Sequence, residues 1–116
     1  MSEVTIYHNP RCSKSRQTLA LLEENGVEPQ VRNYLDEAPS ADELKVVLSQ
    51  LGISARDLLR KKEAEFKENG LDDMSLSEDQ IIEIMTNVPK LIERPIVIKG
   101  DQARIGRPPE SVLEII

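Results

Sequence analysis

The stretch from Val4 to Tyr34 most limits what this chain can fold into. Val4-Thr5-Ile6-Tyr7 has the β-branched and aromatic character of a short strand, and Pro10 interrupts it. Ser13 or Cys12 can then cap a helix carrying Leu19, Leu21 and Leu22, which Asn25-Gly26 stops. Pro29 to Tyr34, centred on Val31, is a second and weaker strand. Strand, helix and strand in that order form a βαβ unit, because two parallel strands need a crossover between them. The prediction is an α/β chain whose sheet carries helices on its faces.

The middle of the chain is helical. Ser40-Ala41-Asp42-Glu43 is a capping box ahead of Leu44, Val47, Leu48 and Leu51 at helical spacing, and Gly52 ends that helix. Ser54 is a cap for a helix expected to reach about Lys61. A further capping box, Ser77-Glu78-Asp79-Gln80, opens a helix with Ile81, Ile84, Met85 and Val88 on one face, closed by Pro89. Pro95-Ile96-Val97-Ile98 then returns to strand, and Gly100-Asp101-Gln102 turns it into Ala103-Arg104-Ile105 as a hairpin. Pro109 suits the first turn of a last helix, with Val112, Leu113 and Ile116 as its apolar face. Neither repeats nor a linker interrupt this order, so the 116 residues are expected to form one domain, 1–116.

Composition excludes several functions. A net charge of −6 opposes binding to nucleic acid or anionic lipid, which needs a basic face, and Tyr7, Tyr34 and Phe66 are too few for base-stacking platforms. The N-terminus has neither a basic leader nor a long apolar run, so no membrane segment and a cytoplasmic location are expected. One His and one Cys cannot make a dedicated zinc site, and the carboxylates show no calcium-loop spacing. No metal, no nucleotide cofactor and no other tightly bound group is expected.

Cys12, the only cysteine, lies in His8-Asn9-Pro10-Arg11-Cys12-Ser13-Lys14-Ser15-Arg16, where the first strand turns into the first helix. Such a turn offers free backbone N–H groups and the positive end of a helix dipole, which bind anions and favour thiolate over thiol. His8, if protonated, would add charge near the sulfur; Ser15 can donate a hydrogen bond to it, and Arg16 can add a cation. Flanks as polar as Arg11, Ser13 and Lys14 argue against a buried, inert thiol. The segment reads as a nucleophile in an anion cradle.

His8-Asn9-Pro10-x-Cys12, Leu58-Leu59-Arg60-Lys61, Arg94-Pro95-Ile96-Val97 and Arg107-Pro108 together closely resemble the glutaredoxin-coupled arsenate reductases of bacteria, in the same order and over nearly the whole chain. This resemblance implies a thioredoxin-like fold with a mixed sheet and a helical insertion between the second and third strands. It further implies that Cys12 attacks arsenate while Arg60, Arg94 and Arg107 hold the oxyanion, and that the Arg94-Pro95 bond is cis. Guanidinium groups suit that task because they stay protonated and donate paired hydrogen bonds. Reduction needs two electrons, and one cysteine cannot close an internal disulfide, so the second thiol must come from outside. Glutathione is the implied co-substrate and glutaredoxin the partner that reduces the mixed disulfide, in a monomeric enzyme of arsenical detoxification.

Two other classes compete with this one. A regulatory protein of the same fold that binds RNA polymerase and senses redox state would carry Cys-x-x-Cys, whereas this chain has Cys12-Ser13-Lys14-Ser15. A monothiol glutaredoxin-like protein fits Cys-x-x-Ser but leaves the three arginines unexplained. Arg11, Ser13 and Lys14 replace small residues of the best-known arsenate reductases, making this loop bulkier and more basic.

Overall fold

Four short strands and five helices build two compact units in a computed structural model that describes residues 4–93 and 95–116. One unit holds the described residues up to Glu37 together with those from Pro95 onward, and the other spans Ala38–Glu93.

In the first unit, β1 (Val4–Tyr7) leads into α1 (Ser13–Glu24) and then β2 (Gln30–Arg32). The hairpin of β3 (Ile96–Lys99) and β4 (Gln102–Ile105) completes a sheet of order β2-β1-β3-β4. β1 pairs parallel with β2, Ile6 opposite Val31, and antiparallel with β3, Ile6 opposite Val97. The expected mixed sheet is present, and β2 is weak in sequence because it is an edge: Val31 is 51% exposed. The core joins Val4, Ile6 and Val97 of the sheet to Leu22 of α1 and to Val112 and Ile115 near the C-terminus. Gly26, at φ +76°, takes the left-handed conformation that ends α1, and Val27 N–H donates to Leu22 O at 2.9 Å.

The second unit is helical: α2 (Ala41–Leu51), α3 (Ala55–Leu58), α4 (Ala64–Glu68) and α5 (Glu78–Asn87), followed by a 3₁₀ turn at Pro89–Leu91. Both capping boxes form. Ser40 Oγ accepts from Glu43 N–H at 3.1 Å and Glu43 Oε1 from Ser40 N–H at 3.0 Å, while Ser77 and Gln80 repeat the exchange at 3.2 and 2.8 Å. Leu44, Val47 and Leu48 of α2, Leu58 of α3, and Ile81, Ile82 and Met85 of α5 are buried.

Two expectations need correction, and one short helix was not foreseen. The helix from Ser54 stops at Leu58 instead of near Lys61, because Leu59 turns extended and bridges Ile92, with Arg60 N–H donating to Leu91 O at 2.8 Å and Glu93 N–H to Leu58 O at 2.9 Å. A long-range pairing outweighs local helix propensity there. The one-turn α4 has no side-chain cap, so nothing local announced it. At the C-terminus, Pro109–Glu114 forms 3₁₀ turns instead of an α-helix.

Ser77→Ala removes the hydroxyl that accepts from Gln80 N–H, and the stability measured by urea unfolding should fall by about 1 kcal/mol. Ser77→Asp should retain most of it, since aspartate also caps; equal losses in both variants would contradict the capping account.

Candidate active site

The turn that carries the thiol is fastened from several sides. His8 N–H donates to Arg32 O at 2.9 Å, extending the β1–β2 pairing by one residue, and the chain then turns through Asn9-Pro10-Arg11. Asn9 closes the turn twice: its Oδ1 accepts from Arg11 N–H and its backbone carbonyl from Cys12 N–H, both at 3.0 Å. Cys12 is the N-cap of α1, in extended conformation, with its carbonyl accepting the first helical bond from Arg16 N–H at 3.0 Å. Its half-buried sulfur therefore sits where the positive end of a twelve-residue helix emerges, and no acidic residue occupies the first turn.

Beneath the turn, Ser15 is fully buried and His8 is 7% exposed. Ser15 Oγ accepts from Asn9 N–H at 3.0 Å and lies 2.6 Å from His8 Nδ1. Burial, and after it the Arg16 cation, holds the His8 pKa below its ordinary value of 6.5. At neutral pH the ring is therefore neutral, and its Nδ1 shares a hydrogen bond with Ser15 Oγ. The sequence reading differs here for His8, which supplies no positive charge at neutral pH; Ser15 Oγ is engaged by Asn9 N–H and His8 Nδ1. Together these two residues anchor Asn9. Arg16 acts from outside, donating from Nη1 to Pro10 O at 2.8 Å.

A second strand end brings the cation. Arg107 Nη2 lies 3.7 Å from Cys12 Sγ, although the two residues are 95 apart in sequence. Gly106 makes this approach feasible: its N–H donates to Pro95 O at 2.9 Å, and a Cβ there would lie 2.5 Å from Thr18 Oγ1 and 2.8 Å from Pro95 Cγ. Thr18 is itself fully buried on α1, donating to Lys14 O at 2.8 Å. The Arg107–Pro108 peptide bond is cis. Arg94, and with it the expectation of a cis Arg94–Pro95 bond, lies outside the described residues.

Arg60 belongs to the helical unit, where Nε contacts Glu63 Oε1 at 3.3 Å and Nη1 contacts Glu93 Oε1 at 3.0 Å. Its guanidinium is thus held in a fixed attitude by two carboxylates. Sequence reasoning overlooked Asn9, Thr18 and Gly106. Only Asn9 had a local signal, since Asn before Pro favours turn initiation. Among the described residues no group of three His, Cys, Asp or Glu could hold a metal, and no helix is long and apolar enough to cross a membrane.

A mixed four-stranded sheet with a cysteine at the turn from first strand to first helix defines a thioredoxin-like α/β protein built around a single thiol. Residues 7–115 match the model of the ArsC family, and the chain belongs to that family. It is 58% identical over 115 residues to uncharacterized protein YfgD of Escherichia coli, covering 98% of this chain and 97% of that one. It is also 49% identical over 114 residues to an arsenate reductase of Haemophilus influenzae, covering 97% and 98% respectively. Among solved structures, an arsenate reductase from Vibrio cholerae superposes with a TM-score of 0.96 at 55% identity, over 99% of this chain and 98% of that one.

The lowered His8 pKa has a measurable consequence. Above about pH 6.5 the ring is neutral in both folded and unfolded chains and the turn is at full strength; as pH falls below that value the unfolded chain takes up a proton that the folded one resists, and stability declines. His8→Gln should remove this component, so the fall in urea midpoint from about pH 7.5 to about pH 5.5 should be smaller in the variant than in the wild type. An unchanged difference would mean that His8 is not the group responsible.

Proposed function

We propose that this protein reduces arsenate to arsenite in the cytoplasm, as a monomer, with Cys12 as nucleophile and glutathione and glutaredoxin as the source of electrons. The observation that carries the reading is the Arg107 guanidinium 3.7 Å from a lone thiol at a helix N-terminus. A cation and a helix dipole favour thiolate at that sulfur and draw an oxyanion to the same place. Membership of the ArsC family, and relatives named arsenate reductase, support arsenate as that oxyanion.

Cys12 thiolate displaces one arsenate oxygen as water, giving a sulfur–arsenic bond with arsenic still pentavalent. Arg107 holds the remaining oxygens, with Arg60 and Arg94 in the same task as the family resemblance implies. His8 and Ser15 hold the cysteine turn in position while charge moves through the sulfur. The thiol of glutathione then displaces a second oxygen as water. A glutaredoxin thiolate attacks the glutathione sulfur, the electron pair of the sulfur–arsenic bond stays on arsenic, and arsenic becomes trivalent. Both oxidised sulfurs leave as the glutathione–glutaredoxin disulfide. Water finally releases arsenite and restores Cys12. A redox switch within the chain would need a second cysteine, which the sequence does not have.

Arsenite formation from arsenate with glutathione and glutaredoxin tests this directly. Cys12→Ser should abolish turnover, and Arg107→Ala should lower kcat/KM about 10²-fold, the scale of losing one charged donor to a developing oxyanion. Alkylation of Cys12 should show a midpoint below the free-cysteine value of about 8.5, moving upward in Arg107→Ala. Arsenite production that persists in Cys12→Ser would sink the proposal.

A further inference from the structure

We propose that the cleft between the cysteine turn and the segment after β2 binds the zwitterionic α-amino-acid head of a γ-glutamyl thiol, glutathione being the simplest, and so seats the reductant beside Cys12. The identity of this ligand class rests on the arsenate-reducing reading above; its location rests on geometry. The cleft measures about 320 Å³ and is lined by Asn9, Pro10 and Arg11 on one side and by Asn33, Leu35 and Asp36 on the other. That volume is at the lower end of small-ligand pockets, about 300–1,000 Å³. One wall ends at the residue preceding Cys12.

Both walls are shaped by their own backbone bonds. Asn9 Oδ1 is taken by Arg11 N–H at 3.0 Å and Asn33 Oδ1 by Leu35 N–H at 3.3 Å, which leaves each carboxamide its N–H donors. Asp36 and Glu37 N–H groups donate to Asn33 O at 3.0 and 2.9 Å, closing the second wall into a tight turn. Across this frame stand two opposite charges, Arg11 and Asp36. Neither side chain makes an ion pair or side-chain hydrogen bond among the described residues.

The pair of charges discriminates by sign. A simple oxyanion such as arsenate meets the Asp36 carboxylate, and a simple amine meets the Arg11 guanidinium, so each is opposed by one wall. A ligand with ammonium and carboxylate on one carbon satisfies both, its carboxylate toward Arg11 and its ammonium toward Asp36. The γ-glutamyl head of glutathione has that arrangement, and half-exposed Leu35 offers an apolar surface to its methylenes. Binding there separates the reductant from the oxyanion, which Arg107 draws to the sulfur itself.

S-methylglutathione, which cannot react, is the probe. Titrated into the full-length protein and followed by amide chemical shifts, it should perturb Asn9, Arg11 and residues 33–36. Arg11→Gln and Asp36→Asn should each weaken it about tenfold, and S-methylcysteinylglycine, which lacks the γ-glutamyl head, should bind the wild type as weakly as the variants bind the probe. In turnover, the ratio of KM for glutathione to KM for 2-mercaptoethanol should rise about tenfold in both variants. Binding of S-methylglutathione that is absent, or indifferent to both substitutions, overturns the proposal. Failure of the arsenate reading looks different: no arsenite forms, while S-methylglutathione still titrates the wild type and discriminates the two variants.

Discussion

The parallel pairing of β1 with β2 governs the rest of the thiol-bearing unit. Parallel neighbours cannot be joined by a hairpin, so the chain must leave the end of β1, cross the sheet as α1 and return. The exit is short: Tyr7 is the last strand residue and Ser13 the first helical one. Five residues must therefore reverse the chain, and the last of them is Cys12. Its position at the N-cap follows from the connection itself, as does the row of free N–H groups that opens α1. Because β3 pairs antiparallel on the other side of β1, the β3–β4 hairpin brings its outgoing end, and hence Arg107, back to the same sheet end.

So tight a turn would be a weak place were its polar groups left to water. The Ser15 hydroxyl, fully buried, stands between Asn9 N–H and His8 Nδ1, so three polar groups satisfy one another in a space without solvent. Leaving any one of them without a partner there costs about 1–3 kcal/mol, and burial of the ring, with the Arg16 cation beside it, favours a neutral His8 over a charged one. The same bonds fix the backbone on which the sulfur stands. Rigidity at the nucleophile thus arises from side chains that do not touch it.

What could be read in the sequence is what is local. Ser40 with Glu43, and Ser77 with Gln80, are hydrogen-bond pairs three residues apart, and both formed as read. The βαβ order and the hairpin were visible through strand character and turn residues, and the helical middle through apolar spacing. Leu59 and Arg60 were misread because their partners, Ile92 and Leu91, lie about thirty residues away and pull the chain out of helix. Ser15 was read as a donor to the sulfur; its contact with His8 Nδ1 depends on His8 being buried, which spacing does not reveal. The carboxylates of Glu63 and Glu93 on Arg60 were equally hidden, one of them 33 residues distant. The resemblance to a family, carried by four short motifs, reached further than propensity because it encodes such contacts without explaining them.

A protein of net charge −6 that handles anions has to concentrate its cations. Under the proposed reading it must hold two anionic substrates together, a multiply charged oxyanion and a thiol with net negative charge, whose mutual repulsion grows as the site dries. One cationic patch for both would let the more highly charged ligand exclude the other. The structure offers a division of labour: Arg107 faces the sulfur, while Arg11, one residue before the thiol, faces a cleft whose opposite wall carries Asp36. That carboxylate weakens the cleft for arsenate and strengthens it for a ligand with an ammonium group. Arg11, the most conspicuous departure of this loop from the small residues of familiar arsenate reductases, then has a use that a smaller side chain could not serve.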